Sequence, residues 1–277
     1  MARISIISGV YNCAETLPEA IESILRQTVT DWEWILCDDA SSDNTMQVLE
    51  AYRSKYPEKF ILLRNDKNQG LNFTLNRCLR HANGELIARM DGDDVCAPER
   101  FEVELAALEA EPDIDIVSTD MEFFDETGVW GCIAHPTYPQ PEDLIRGTPF
   151  CHAPCMVRRA ALEAVGGYTE GKRFLRVEDY HLWLKMYAAG YRGKNIHLPL
   201  YQMRDDHHAQ KRRKLRYRFN EAHVMKLVCR TFHLGGLNRL RAIRPIAVGL
   251  MPSPLYHLFH HARLKRNSRQ TGNDRKG

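Results

Sequence analysis

The chain has 277 residues with 38 basic and 36 acidic side chains, a formal net charge of +2, which is too even a balance to imply nucleic-acid binding. Its 44% apolar and 27% charged content and mean hydropathy of -0.44 describe a globular protein and exclude a membrane-embedded one. The length accommodates one large α/β domain with an appendage.

The N-terminus, Met1-Ala2-Arg3-Ile4-Ser5-Ile6-Ile7-Ser8, carries one basic residue and then enters a strand pattern. It lacks the apolar run and small-residue cleavage site of a signal peptide, so the cytoplasm is the expected compartment. Residues 3–10 read as a β-branched strand. Thr16-Leu17-Pro18-Glu19 reads as a capping box with proline in the first turn of a helix running to about Gln27. A strand follows at Trp34-Ile35-Leu36-Cys37, then a helix with Met46, Val48, Leu49 and Tyr52 on one face, then a strand from Phe60 to Leu63. Asn68-Gln69-Gly70 opens a helix that Gly84 ends, before the strand Glu85-Leu86-Ile87-Ala88.

This βαβαβαβ alternation predicts a Rossmann-like, mainly parallel sheet flanked by helices, with binding residues gathered at the strands' carboxyl ends. A helix over Pro98–Ala110, a strand over Ile114–Thr119 and an antiparallel excursion over Met121–Ile133 extend it. Residues 134–176, rich in Pro, Gly and Thr with a short helix from Ala160 to Val165, are expected to form acceptor-binding loops. A helix runs from Glu178 to Gly190, and beyond His208 the chain reads as helical and basic.

The basic runs Lys211-Arg212-Arg213-Lys214 and Arg263-Leu264-Lys265-Arg266 suit a solvated helix face or an anionic membrane surface. Tyr217, Phe219, Leu227, Val228 and Phe232, and later Leu255, Tyr256, Leu258 and Phe259, could lie at such an interface or pack on the domain. The apolar stretch from Ile246 to Phe259 is broken by Pro252 and Pro254 and is shorter than the ~20 residues that span a bilayer. Eight scattered cysteines imply reduced thiols. Cys151-His152-Ala153-Pro154-Cys155 lacks the second ligand pair of a zinc finger and reads as small buried residues.

Arg89-Met90-Asp91-Gly92-Asp93-Asp94 places three carboxylates where a buried strand opens into solvent. Such mutual repulsion calls for a hard divalent cation or a hydrogen-bonded phosphate partner. A calcium loop does not fit, because Val95 stands at a ligand position and Cys96 at the required glycine.

Val10-Tyr11-Asn12, Asp38-Asp39-Ala40-Ser41-Ser42-Asp43, Asn68-x-Gly70, Asp91-x-Asp93-Asp94 and Glu178-Asp179-Tyr180-His181-Leu182-Trp183 occur in the order seen in family 2 glycosyltransferases. The chain resembles that family from residue 3 to about 205. The resemblance implies a GT-A fold and an inverting, metal-dependent transfer of a sugar from a nucleotide diphosphate. It divides the chain into a catalytic domain over 1–205, a basic helical extension over 206–266 and a disordered tail over 267–277.

By the same resemblance, Tyr11 and Asn12 lie beside the nucleotide base, and Asp39 accepts a hydrogen bond from base or ribose. Asn68 and Gly70 shape the neighbouring turn. Asp91 lies near the ribose, and Asp93 with Asp91 coordinates Mg2+ or Mn2+ on the diphosphate. His207 belongs to a late loop that can reach the metal, and Asp179, paired with Glu178, acts as general base. Several of these residues also read as structural ones: Asp39 as a turn aspartate, Asn68 and Gly70 as a helix cap, Glu178-Asp179 as helix capping that keeps a carboxylate ionised.

The sequence departs from the family at Gly9, where proline is frequent, and at His181, where aspartate is common. Gln210-Lys211-Arg212-Arg213-Lys214 lacks the tryptophan of the processive synthases, which favours single-sugar transfer. The expected partners are a nucleotide-diphospho-sugar, a UDP-sugar foremost, and a glycan or lipid-linked acceptor of surface polysaccharide synthesis. Contact with the cytoplasmic face of a membrane is secondary, and no nucleic acid is expected. Two other readings remain: a degenerate GT-A-like module that binds nucleotide-sugar or glycan without turnover, and a nucleotidyltransferase, which the lack of a glycine-rich phosphate loop with a following lysine disfavours.

Overall fold

A computed structural model describes residues 2–205 and 214–251. Strands β1 (Ile4–Val10), β2 (Trp32–Asp38), β3 (Phe60–Arg64) and β4 (Leu86–Arg89) alternate with helices α1 (Leu17–Leu25), α2 (Thr45–Lys55) and α3 (Leu71–Leu79). The four strands are parallel in the order β3-β2-β1-β4. The chain therefore leaves β1 first to one side and later to the other, which opens a crevice at the carboxyl ends where α/β sheets bind ligands. Because Ile7 pairs with Arg89, the segments after Val10 and after Arg89 emerge side by side at that crevice.

Beyond β4 the pairing becomes mixed. β5 (Val95–Cys96), α4 (Arg100–Ala110), β6 (Ile116–Asp125), β7 (Gly128–Ile133), β8 (Met156–Arg158), α5 (Arg159–Ala164), α6 (Glu178–Ala188) and β9 (Gly193–Arg204) complete this half. β8 runs antiparallel to both β4 and β6, while β9 is parallel to β6 and antiparallel to β5. The fold is thus a mixed α/β sheet flanked by helices, all-parallel across β3-β2-β1-β4 and mixed beyond.

Side chains alternate between two apolar layers. Ile4, Ile6, Trp34 and Leu36 meet α1 and α4 on one face. Ile7, Ile35 and Cys37 meet α3 and α6 on the other. The last described helices are α7 (Leu215–Thr231), α8 (Leu237–Arg241) and α9 (Arg244–Leu250). α7 buries Val224, Met225, Val228 and Cys229 in the same layer as Leu182 and Trp183 of α6. No helix among the described residues is long and apolar enough to cross a membrane. Lys211-Arg212-Arg213, the run at 263–266, the apolar cluster at 255–259 and the tail at 267–277 lie outside the described residues.

Several local expectations change. The Thr16 capping box does not form, because its hydroxyl donates to the carbonyls of Cys13 and Gly92, the latter at 3.0 Å. α1 ends at Leu25 rather than Gln27. β6 continues through the expected break after Thr119, and β7 returns beside it. β9 went unassigned because Pro199 interrupts it. That proline faces Asp120 at a register shift, where its missing N–H is tolerated.

Gly84 does not cap α3, which ends at Leu79. A Cβ on Gly84 would stand 2.6 Å from the backbone nitrogen of Ser5, so the glycine permits close approach of two backbones. Gly84→Ala should therefore cost about 1–3 kcal/mol by overpacking, a fall of roughly 2–8 °C in melting temperature. An unchanged melt would refute the contact.

Candidate active site

Two cavities open at the crevice and share a wall. The first, 550 Å³, is bordered by Tyr11, Asn68, Gly70 and Tyr217. The second, 430 Å³, is bordered by Arg89, Phe150, His152 and Asp179. Leu71, Asp91, Asp93, Arg176 and Glu178 line both. Most of the second cavity's far side comes from residues 133–153, within the loop-rich stretch.

The loop after β2 holds the first cavity's rim through buried polar contacts. Asp38, fully buried, accepts bonds from the Ser41 amide at 3.0 Å and its hydroxyl at 2.5 Å, and pairs with Arg64 at 3.2 Å. Asp39 Oδ1 accepts from Asn65 at 2.7 Å and from the Gln69 amide at 2.8 Å, and its Oδ2 accepts from the Gly70 amide at 2.8 Å. Gly70 sits at φ 86 as the residue before α3, a conformation glycine adopts without strain. Asp39 therefore shapes the Asn68–Gly70 turn. Asn12, exposed and at φ 51, is likewise committed to this loop, its side-chain oxygen accepting the Ser42 amide at 2.8 Å. Tyr11, by contrast, is half exposed and lines the cavity.

The acidic loop is fixed from beneath. Arg89 is buried and donates to Asp91 Oδ1 at 2.6 Å. Burial disfavours the charged guanidinium, but its neighbours, Asp91 foremost, more than offset this. Asp94 borders only the second cavity and is almost fully buried, its carboxylate accepting from the Tyr201 hydroxyl at 2.9 Å and the Arg204 amide at 2.8 Å. Burial, then Asp91 and Asp93, raise its carboxyl well above the usual range. Of the three clustered carboxylates, Asp91 and Asp93 line both cavities, while Asp94 reaches only the second and is committed to protein donors.

Arg204 closes the loop from outside, donating to the Asp93 carbonyl at 3.0 Å while its guanidinium pairs with Glu19. Gly92 packs so tightly that a Cβ there would lie 3.0 Å from both Cys13 Sγ and Val10 Cγ1. Deeper still, the fully buried Arg100 pairs with Glu104 and donates to the Arg89 carbonyl at 3.1 Å.

Glu178 and Asp179 form the first turn of α6. The expectation that a helix N-terminus keeps Asp179 ionised does not hold. Burial, then repulsion from Glu178, push its carboxyl up to about 7, against the opposing pull of the helix amides and Arg89. His181 takes no part: it packs on Phe174 with ring centroids 4.2 Å apart and meets Thr169 Oγ1 at 3.0 Å, and burial drives it down to about 4. Cys155 Sγ donates to the Cys151 carbonyl and His152 meets the Tyr168 hydroxyl at 2.9 Å.

The structure thus brings Tyr11, Asn68, Gly70, Asp91, Asp93, Glu178 and Asp179 to the cavities, while Asn12 and Asp39 line neither and bond to the loop instead. His207 lies outside the described residues. The sequence gives no role to Arg89, Arg176 or Tyr201, and suggests for Tyr217 an interface or packing role rather than the cavity wall. A charge at the end of an otherwise apolar strand was the available signal for Arg89. Arg176 offered none; its left-handed backbone, φ 64, is visible only in three dimensions.

The family model described as Glycosyl transferase family 2 matches residues 5–166, which takes in the acidic loop and stops before Glu178. The chain is 40% identical over 262 residues, 95% of its length and 94% of the relative's, to EpsE of Bacillus subtilis (strain 168), which carries a glycosyltransferase name. It is 31% identical over 223 residues, 76% of its length and 77% of the relative's, to an Escherichia coli UDP-Gal:alpha-D-GlcNAc-diphosphoundecaprenol beta-1,3-galactosyltransferase.

Among solved structures, S. aureus TarS 1-349 in complex with UDP superposes with a TM-score of 0.67 at 20% identity, covering 90% of this chain and 71% of that one. The mannosyltransferase PcManGT of Pyrobaculum calidifontis, in complex with GDP-Man and Mn2+, gives 0.65 at 20% identity over 94% and 79%. These likenesses establish the GT-A fold.

Replacing Arg89 by methionine would leave Asp91 without its partner. After allowing for the partial exposure of Asp91, the cost should be about 2–4 kcal/mol, read from the denaturant midpoint. A midpoint within error of the parent would show that the pair does not hold the loop.

Proposed function

The chain belongs to glycosyl transferase family 2, and we propose that it transfers a single sugar, with inversion, from a nucleotide-diphosphate donor to a hydroxyl of a glycan or lipid-linked saccharide. One observation carries this reading: Asp179 lines only the second cavity, whereas Asp91, Asp93 and Arg176 line both. A donor in the first cavity presents its diphosphate at the shared wall. An acceptor hydroxyl in the second then meets Asp179 on the side of the sugar away from the leaving group, as inversion requires. A carboxyl near 7 is matched to taking that proton at neutral pH.

Arg176 supplies a cation at the shared wall, and its left-handed backbone aims it where a helix-like conformation would not. Asp91 and Asp93 fit Mg2+ or Mn2+: two hard carboxylate donors suit a cation whose remaining ligands are phosphate oxygens and water. Among the described residues no cluster of three candidate ligands makes an all-protein cage, in keeping with a site completed by substrate. When bound, the cation offsets the charge on the departing nucleotide. A UDP-sugar is the donor favoured by the UDP-Gal-dependent relative and by UDP in TarS. The diphosphoundecaprenol acceptor of that relative supports a lipid-linked acceptor here and a place in surface polysaccharide synthesis.

Asp179→Asn should lower turnover by about a hundredfold or more with little change in donor binding. The fold should not suffer. Because the folded-state pKa of Asp179 lies above its unfolded value, the parent protein loses stability as pH rises from about 4 to about 7. The variant lacks that loss and should melt higher than the parent in alkaline buffer. Parent-like turnover would remove Asp179 as the base.

For the donor site, UDP, GDP and dTDP should be compared as thermal stabilisers with and without Mn2+. A ligand at a hundredfold its dissociation constant stabilises by about 2.7 kcal/mol. Selective stabilisation that depends on Mn2+ and disappears in Asp93→Asn is expected. Stabilisation by none of the three under either condition would leave a degenerate binding fold as the better reading.

A further inference from the structure

The helices that follow α7 invert the usual order of small and large apolar residues. Leu237, Leu240, Ile243 and Leu250 are 77%, 62%, 53% and 69% exposed. With exposed Ala247 they recur every three or four residues, the spacing of one helical face. Ala242 and Ile243 keep right-handed helical geometry between α8 and α9, so the stripe is nearly continuous.

The small residues Ala242, Pro245 and Gly249 take the opposite stripe, with Ala242 and Pro245 buried. A Cβ on Gly249 would come within 2.8 Å of Arg218 Cγ and 3.0 Å of Leu215 Cδ1. Small side chains thus let the segment lie close against α7 while the leucines point outward. Such a contiguous exposed apolar stripe marks an interaction surface.

Charge says what covers it. Arg239, Arg241 and Arg244 are exposed beside the stripe, and no carboxylate among the described residues pairs with them. The sequence contains no Asp or Glu from residue 222 to residue 273. A second copy would bring the same cationic rim against itself, and residues 252–273 carry only further cations. An anionic lipid surface complements both the apolar stripe and its rim.

We infer that α8 and α9 dock the protein on an anionic bilayer, with Leu237, Leu240, Ile243 and Leu250 among the acyl chains and the three arginines at the headgroups. Leu215, against which Gly249 packs, lies two residues before Tyr217 of the first cavity. Docking would thus hold the first cavity near the membrane. That consequence for a lipid-linked acceptor rests on the transferase reading; the docking itself does not.

The test is co-sedimentation of the full chain with vesicles of phosphatidylcholine alone or mixed in equal parts with phosphatidylglycerol. Binding to the mixed vesicles, weakened by salt, is expected. Leu240→Ser with Leu250→Ser should weaken it about tenfold or more per leucine, and Arg239→Gln with Arg241→Gln and Arg244→Gln about fivefold per arginine, with melting temperatures unchanged. Three results would overturn the inference: no binding to either lipid, binding indifferent to both sets of substitutions, or a leucine variant that passes from dimer to monomer without vesicles, which would assign the stripe to a second copy. Loss of sugar transfer alone would bear on the reaction and leave vesicle binding intact.

Discussion

A guanidinium buried at the end of a parallel strand holds the acidic crevice together. Arg89 donates to Asp91 and acts electrostatically on Glu178 and Asp179, so one cation links the loop after β4 to the first turn of α6. Without it, carboxylates from two distant parts of the chain would face one another across a poorly solvated gap. Arg100 supports the arrangement from below through the Arg89 carbonyl, and Tyr201 and Arg204 take up the Asp94 carboxylate. What remains exposed to ligands is a pair of carboxylates on a rigid backbone, a geometry suited to a cation and a diphosphate.

The same division of labour recurs on the opposite rim. Asp38, Asp39 and Asn12 satisfy loop amides, and in doing so place Tyr11, Asn68 and Gly70 at the first cavity. Acidic residues in this chain therefore fall into two groups. Some order the backbone and are consumed by hydrogen bonds, while others are left at the cavity wall. Asp179 belongs to the second group, and there burial, then Glu178, raise its carboxyl to about 7 against the helix amides. A carboxylate that destabilises the fold when ionised is the expected cost of a base tuned to neutral pH.

The parallel half of the sheet was legible because β-branched runs, helical periodicity and short connections all point to one topology, and the acidic loop falls at a strand end. Beyond β4 only β6 and β7 were legible. β8 has three residues, β5 has two, and β9 carries a proline at its bulge, so none presents an unbroken pattern. At the site, residue type and position in the chain singled out Asp91, Asp93 and Glu178-Asp179, but they could not separate ligand-facing carboxylates from loop-ordering ones. That distinction lies in partners remote in sequence, such as Asn65 for Asp39 and Tyr201 for Asp94. The outward leucines of α8 and α9 were hidden for a related reason: periodicity reveals a stripe without saying which stripe faces the domain.

The measurement that bears most directly on the site is the rate of sugar transfer against pH at saturating donor and metal. If Asp179, raised to about 7 by burial and Glu178, takes the acceptor proton, the rate should fall about tenfold for each pH unit below that value, since only the ionised carboxylate is competent. A rate that stays level from about pH 5 to about pH 8 would contradict it.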